Sequence, residues 1–139
     1  PLATLTWNDS GRFVDRWVHL RVASSLCVFL RGLERLYLPV AHAEGNFQTA
    51  DQEAFKKLDA SGRLALRYGP ETPGQAVDNP NGSIGDVAGM CDASGRVFGL
   101  MPHPERYLDP THHPHWTRDM PETPTDGMKI FHNAVRHFA

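Results

Sequence analysis

Residues 12–22, RFVDRWVHLRV, sort their side chains by parity. Val14, Val18, Leu20 and Val22 fall on one face, and Phe13, Asp15, Trp17, His19 and Arg21 on the other. Side chains alternate across a strand, so this period of two predicts a half-buried β-strand. Arg16 is the misfit, a charge on the apolar face. RLYLPVA (35–41) predicts a second strand, leading into the polar turn HAEGN, where Gly45 is expected to supply a positive φ. DQEAFKKLD (51–59) predicts a short helix closed near Ser61-Gly62, and RLALRYG (63–69) predicts a strand. ETPGQAVDNPNGS (71–83), dense in Pro, Gly and Asn, predicts a loop. VAGMCD and RVFGLMP flank ASG as a β-hairpin would. After an irregular stretch with Pro110, Pro114, Pro121 and Pro124, the chain ends in DGMKIFHNAVRHFA. There Ile130, Phe131, Ala134, Val135 and Phe138 make an apolar stripe at helical spacing. That predicts an amphipathic helix packed on the sheet, with Asp126 as its N-cap.

Strands and helices are mixed, so the expected class is α/β, an open sheet with flanking helices. Only two helices are legible, and neither is long enough to cover both faces of a mostly parallel sheet. Residues 1–139 are therefore expected to form a single partial domain, an incomplete α/β unit. The start at Pro1, without an initiator Met, fits a processed chain or a piece of a longer one. In such a unit, the apolar face of residues 14–22 and the run Leu26–Leu30 are the surfaces expected to lie bare. They would then be available for self-association.

Composition narrows the field. An apolar fraction of 40% and a charged fraction of 22% are ordinary for a folded domain. A net charge of −2 offers no basic excess to drive binding to nucleic acid or to a membrane surface. No apolar run approaches the ~18–20 residues of a membrane span. PLATLTWNDSG lacks the basic start and apolar core of a signal peptide. Two cysteines, Cys27 and Cys91, give neither a disulfide framework nor zinc spacing, which suits a reducing, cytoplasmic setting. His112, His113 and His115 have no cysteine or spaced acidic partner, so they are read as solvated loop histidines and not as metal ligands.

The chemistry concentrates in MPHPER (101–106). Pro104 biases His103 toward extended geometry, and in an extended segment residues i and i+2 share a side. His103 and Glu105 are then neighbours. A carboxylate accepting from one imidazole nitrogen sets the tautomer and leaves the other nitrogen as a base. A surface His–Glu pair or a cap would use the same spacing. Cys91 in GMCDA nearly fits a Gly-x-nucleophile-x-Gly elbow, but that elbow runs from strand to helix, and here a second strand follows. Cys27, among Leu26, Val28 and Phe29, has no glycine elbow and reads as a small core residue. Asn79, Asn81 and Ser83 read as residues that hydrogen-bond their own loop.

MPHPER resembles the His-Pro-Glu signature of class I glutamine amidotransferases. NDSGRFVDRWVHLRV, LPVAHAEGNF, DNPNGSIGDVAGMCDASGRVFGLMPHPER and DGMKIFHNAVRHF are similar, in order, to segments of the glutaminase part of phosphoribosylformylglycinamidine synthases. The resemblance covers nearly the whole chain. It implies the C-terminal part of such a domain, with His103 and Glu105 as its catalytic pair. A cysteine attacks the side-chain amide of glutamine, His transfers protons, Glu orients the His, and water resolves the thioester. The ammonia passes to a synthetase subunit or domain, which uses ATP and Mg to convert formylglycinamide ribonucleotide to formylglycinamidine ribonucleotide. No cofactor is implied for the glutaminase part itself. The resemblance further makes Arg16, His42 and Glu44 candidates on the substrate side, against the plainer readings of a strand-edge Arg and a polar turn. The family's nucleophile elbow lies upstream of the NDSGRF segment and has no counterpart here, so the chain alone is expected to be inactive. The alternatives are a non-catalytic glutaminase-like module that docks a partner, and a free-standing hydrolase using Cys91.

Overall fold

The computed structural model describes residues 1–139. In chain order the elements are β1 (Ala3–Thr6), β2 (Val14–Val22), β3 (Arg35–His42), β4 (Asn46–Thr49), α1 (Gln52–Ala60), β5 (Leu66–Tyr68), β6 (Val87–Cys91), β7 (Phe98–Leu100) and α2 (Asp126–Phe138). Five strands form one sheet in the order β3-β2-β5-β6-β7, and β1 pairs with β4 as a separate ribbon. The strands and helices foreseen from periodicity are present within a few residues. The ribbon is an addition. Asn46 ends the expected HAEGN turn and residues 47–49 carry no apolar alternation of their own; Asn46–Thr49 is a strand through its register with β1, Ala3 opposite Thr49.

Every pairing in the molecule is antiparallel. This corrects the argument from a mostly parallel sheet, since an antiparallel sheet needs cover on one face only. It also corrects the surfaces expected to lie bare. Val18 and Leu20 of β2 are fully buried, as are Cys27, Val28 and Leu30 in the short 3-10 segment after it. Across β2, Val18 faces Leu38 and Leu20 faces Leu36, with Tyr68 on the other flank of Leu20. These residues, with Ala65, Leu66, Ala88, Tyr107 and Ile130 of α2, make the main core. A smaller cluster of Phe47, Leu58, Leu64 and Val87 seats α1. The exposed apolar surface lies elsewhere. Part of it is the outer stripe of α2, Phe131, Val135 and Phe138. Another part is a groove of about 320 Å³ lined by Leu5, Phe47, Val87, Met90, Leu100 and Met101, and Trp7, Phe13, Val97 and Met120 stand exposed singly.

The helices begin where polar side chains satisfy their first amides. Asp51 accepts from the Ala54 amide to start α1, and Gly62, at φ +70°, closes the turn after it. The cap of α2 is Thr125, whose hydroxyl accepts from the Met128 amide. Asp126, expected there, is the first helical residue. Its carboxylate reaches the open edge of β3, accepting from the Tyr37 amide at 2.8 Å, and also pairs with Lys129. The same edge carries Pro39, which has no amide to leave unpaired, and the Pro39 carbonyl accepts from the His103 amide at 2.8 Å.

Candidate active site

The His103–Glu105 pair is hung from β7. Met101 continues the hairpin by donating to the Ala88 carbonyl, and His103 then docks on Pro39 of β3. His103 stays near extended, at φ −104° and ψ 86°, as the following proline requires. Pro104–Arg106 turn at once into a 3-10 segment, closed by Arg106 and Tyr107 amides on the His103 and Pro104 carbonyls. The two side chains meet all the same: Nδ1 of His103 lies 2.7 Å from Oε1 of Glu105. Side-chain exposures of 30% and 55% leave both reachable from solvent. Partial burial raises the Glu105 carboxyl, but the His103 hydrogen bond, its own backbone and Arg106 outweigh that and hold it below the usual range. With the carboxylate on Nδ1, Nε2 is the nitrogen left for chemistry.

Behind the pair, three loops converge on His42. Asn8 donates through Nδ2 to the carbonyls of Arg12 and His42, while its Oδ1 accepts from the Gly45 amide and from Nδ1 of His42 at 3.0 Å. On the other side of the ring, the Asn81 amide group stands 3.5 Å from Nε2 and donates to the Tyr68 hydroxyl at 2.9 Å. Ser83 donates to Asn81 Oδ1 and accepts from the Phe47 amide. Burial, together with the nearby His103, pushes the His42 imidazole below its usual range despite an opposing backbone contact. The ring is thus neutral, with Nδ1–H donating and Nε2 accepting. Gly45 does not have the positive φ expected of it. It is glycine because a Cβ there would run into the His42 ring, 2.6 Å from Nε2. No buried side-chain polar atom in the molecule lacks a partner.

The other candidates fall apart by environment. Arg16 is half exposed and bound to Asp78 of the 71–83 loop at 2.6 Å. Glu44 is exposed, and its side chain makes no hydrogen bond. His42 has both ring nitrogens engaged, so it ties loops together. Asn8 was not singled out by sequence reasoning, although NDSG at the mouth of a strand is a loop-closing signature; Asn81 was, as a loop residue, and its bonds reach well beyond its own loop. Cys27 and Cys91 are both free thiols buried in the main core. Burial pushes Cys27 up to about 11 and raises Cys91 as well, so neither is the thiolate that nucleophilic attack requires. His113 is not a solvated loop residue. It packs among Trp17, Tyr37 and Tyr107, with ring centroids 5.5–5.9 Å away, because the apparently polar face of β2 is roofed by aromatic rings. No group of three or more His, Cys, Asp and Glu residues is arranged to hold a metal ion.

An imidazole held by a carboxylate is an arrangement that can serve as base and orienter beside a separate nucleophile. The chain belongs to the CobB/CobQ-like glutamine amidotransferase family, whose domain model matches residues 2–138. It is 45% identical over 134 residues to the phosphoribosylformylglycinamidine synthase subunit PurQ of Dehalococcoides mccartyi, covering 96% of this chain and 52% of that protein. It is 35% identical over 151 residues to the subunit of the same name from Methanococcus maripaludis, covering 99% and 55%. Among solved structures, that of PurLQS from Thermotoga maritima superimposes with a TM-score of 0.67 at 28% identity, over 99% of this chain and 53% of the matched chain. The chain spans about half the length of the curated relatives it matches. No helix of the molecule is long and apolar enough to cross a membrane.

Proposed function

We propose that this chain is part of the glutamine amidotransferase component of a phosphoribosylformylglycinamidine synthase. In that role it serves a carbon–nitrogen ligase by releasing ammonia from glutamine, in the cytoplasm, for purine biosynthesis. The observation that carries the reading is the 2.7 Å contact from His103 Nδ1 to Glu105 Oε1, in a chain whose relatives bear that enzyme's name. Glu105 accepts from Nδ1–H and so presents Nε2. Nε2 takes the proton of a cysteine thiol as its sulfur attacks the amide carbon, and returns it to the leaving nitrogen as ammonia departs. Water then cleaves the thioester, giving glutamate and regenerating the thiol. With Cys27 and Cys91 buried as thiols, the nucleophile is assigned to polypeptide outside residues 1–139. Glu44 is exposed and carries a charge that suits the amino group of free glutamine, and Arg16 would serve the substrate carboxylate only on leaving Asp78. ATP and Mg belong to the synthetase partner that receives the ammonia.

The test is glutamate release from glutamine by residues 1–139 and by a chain extended to the length of the relatives. Release is expected only from the extended chain, and His103→Ala in that chain should lower it about a hundred- to ten-thousandfold. An extended chain indifferent to His103→Ala would leave the module a docking domain without catalysis. Turnover by residues 1–139 alone, lost on Cys91→Ser, would instead make Cys91 the nucleophile.

A further inference from the structure

Gly127 sits buried in the first turn of α2, directly against the segment that carries Glu105. A Cβ at this position would overlap the carbonyl oxygens of Pro104 and Tyr107 and stand 3.0 Å from the Pro104 carbonyl carbon. These atoms are backbone, at the two ends of the 3-10 turn, so the overlap is relieved only if the turn itself moves. The helix grips that turn in a second way, because the Thr125 hydroxyl donates to the Tyr107 carbonyl at 2.5 Å. The Tyr107 ring is in turn set edge-on against Trp17 at 4.9 Å.

His103 has a different support. Its amide is fixed to Pro39 on β3. The two halves of the pair therefore hang from two bodies, the base from the sheet edge and the carboxylate from the helix start. Their contact at 2.7 Å depends on how closely α2 approaches the turn. We infer that Gly127 is a positioning residue for the His103–Glu105 pair: its lack of a side chain sets the depth at which the turn is seated, and so brings Glu105 onto Nδ1. The inference rests on the reading of His103 as base and Glu105 as orienter, but the geometry it invokes is measurable without turnover. Glu105 is bonded to His103 and His42 on β3 lies near it, while Arg106 acts on Glu105 and Asp126 of α2 acts on Tyr107 at the end of the same turn.

Histidine-selective nitrogen-15 NMR on the chain as it stands reads the outcome, at a pH where the imidazoles are neutral and with His103 assigned by His103→Gln. In the unsubstituted chain, His103 is expected as the Nδ1–H tautomer, since Glu105 accepts there. Glu105→Ala should release it toward Nε2–H, the form free imidazole side chains favour. Gly127→Ala should do the same with Glu105 still present. Leu58→Ala, which weakens the smaller core cluster far from the turn, should leave Nδ1–H in place and so separates positioning from loss of stability. If Gly127→Ala does not fold, Thr125→Val, which releases the Tyr107 carbonyl, should shift the tautomer in the same direction, while Thr125→Ser should not. A folded Gly127→Ala, or in its stead Thr125→Val, with an unchanged tautomer beside a shifted Glu105→Ala would overturn the positioning role alone. A Glu105→Ala chain that keeps Nδ1–H would overturn both that role and the orienting role of Glu105.

Discussion

At the scale of single residues, His42 couples the loop network to pH. Its folded value is lowered from the ordinary 6.5 by burial. Above that pH both folded and unfolded chains are neutral at this site. Below it, the unfolded chain takes up a proton that the folded chain resists, so stability falls with pH. His19 and His113 are likewise lowered, chiefly by burial, and add in the same sense. Urea denaturation between about pH 7.5 and pH 5.5 should show the midpoint dropping on the acid side, with a shallower drop in His42→Gln. An equal slope in that variant would remove His42 from the account. Gly45→Ala should cost about 1–3 kcal/mol, because the new methyl must displace the His42 ring from its two partners.

At the scale of elements, the open edge of β3 is where the chain protects itself and builds its site with the same atoms. Pro39 removes one amide, Asp126 accepts another, and His103 occupies a carbonyl. Asp126→Ala leaves the Tyr37 amide without its partner and frees Lys129, for an expected loss of about 1–3 kcal/mol in urea denaturation. Asp126→Asn keeps an oxygen for the amide and should lose less. Equal losses from the two would mean that charge toward Lys129, and not the edge contact, is what Asp126 contributes.

At the scale of the whole molecule, a five-stranded sheet with the main core on one side and the smaller cluster under α1 on the other explains why residues 1–139 hold a core of their own. Leu20, fully buried between Leu36 and Tyr68, should cost about 2–5 kcal/mol on replacement by Ala. Val135→Glu, on the exposed stripe of α2, should lie within about 0.5 kcal/mol of the unsubstituted chain. A large loss at Val135 would show that this stripe is covered in solution.

Periodicity alone determined much of this protein. Parity along 12–22 and 35–41 marks two strands, the stripe from Ile130 to Phe138 marks the last helix, and the spacing of His103 and Glu105 marks the pair, because each signal is local and repeats at the period of the backbone. What the sequence by itself could not decide is whatever depends on which segments meet. Strand direction follows from pairing partners, so an antiparallel sheet was indistinguishable from a parallel one. The strand Asn46–Thr49 has no pattern of its own and takes its structure from β1. Arg16 answers to Asp78, and His42 to Asn8 and Asn81, across gaps that no spacing rule spans. Gly45 looks like a turn former in the chain, and Gly127 like one more residue at the start of a helix. Only packing shows that they are glycine because a ring and a turn of backbone occupy the space where a side chain would stand.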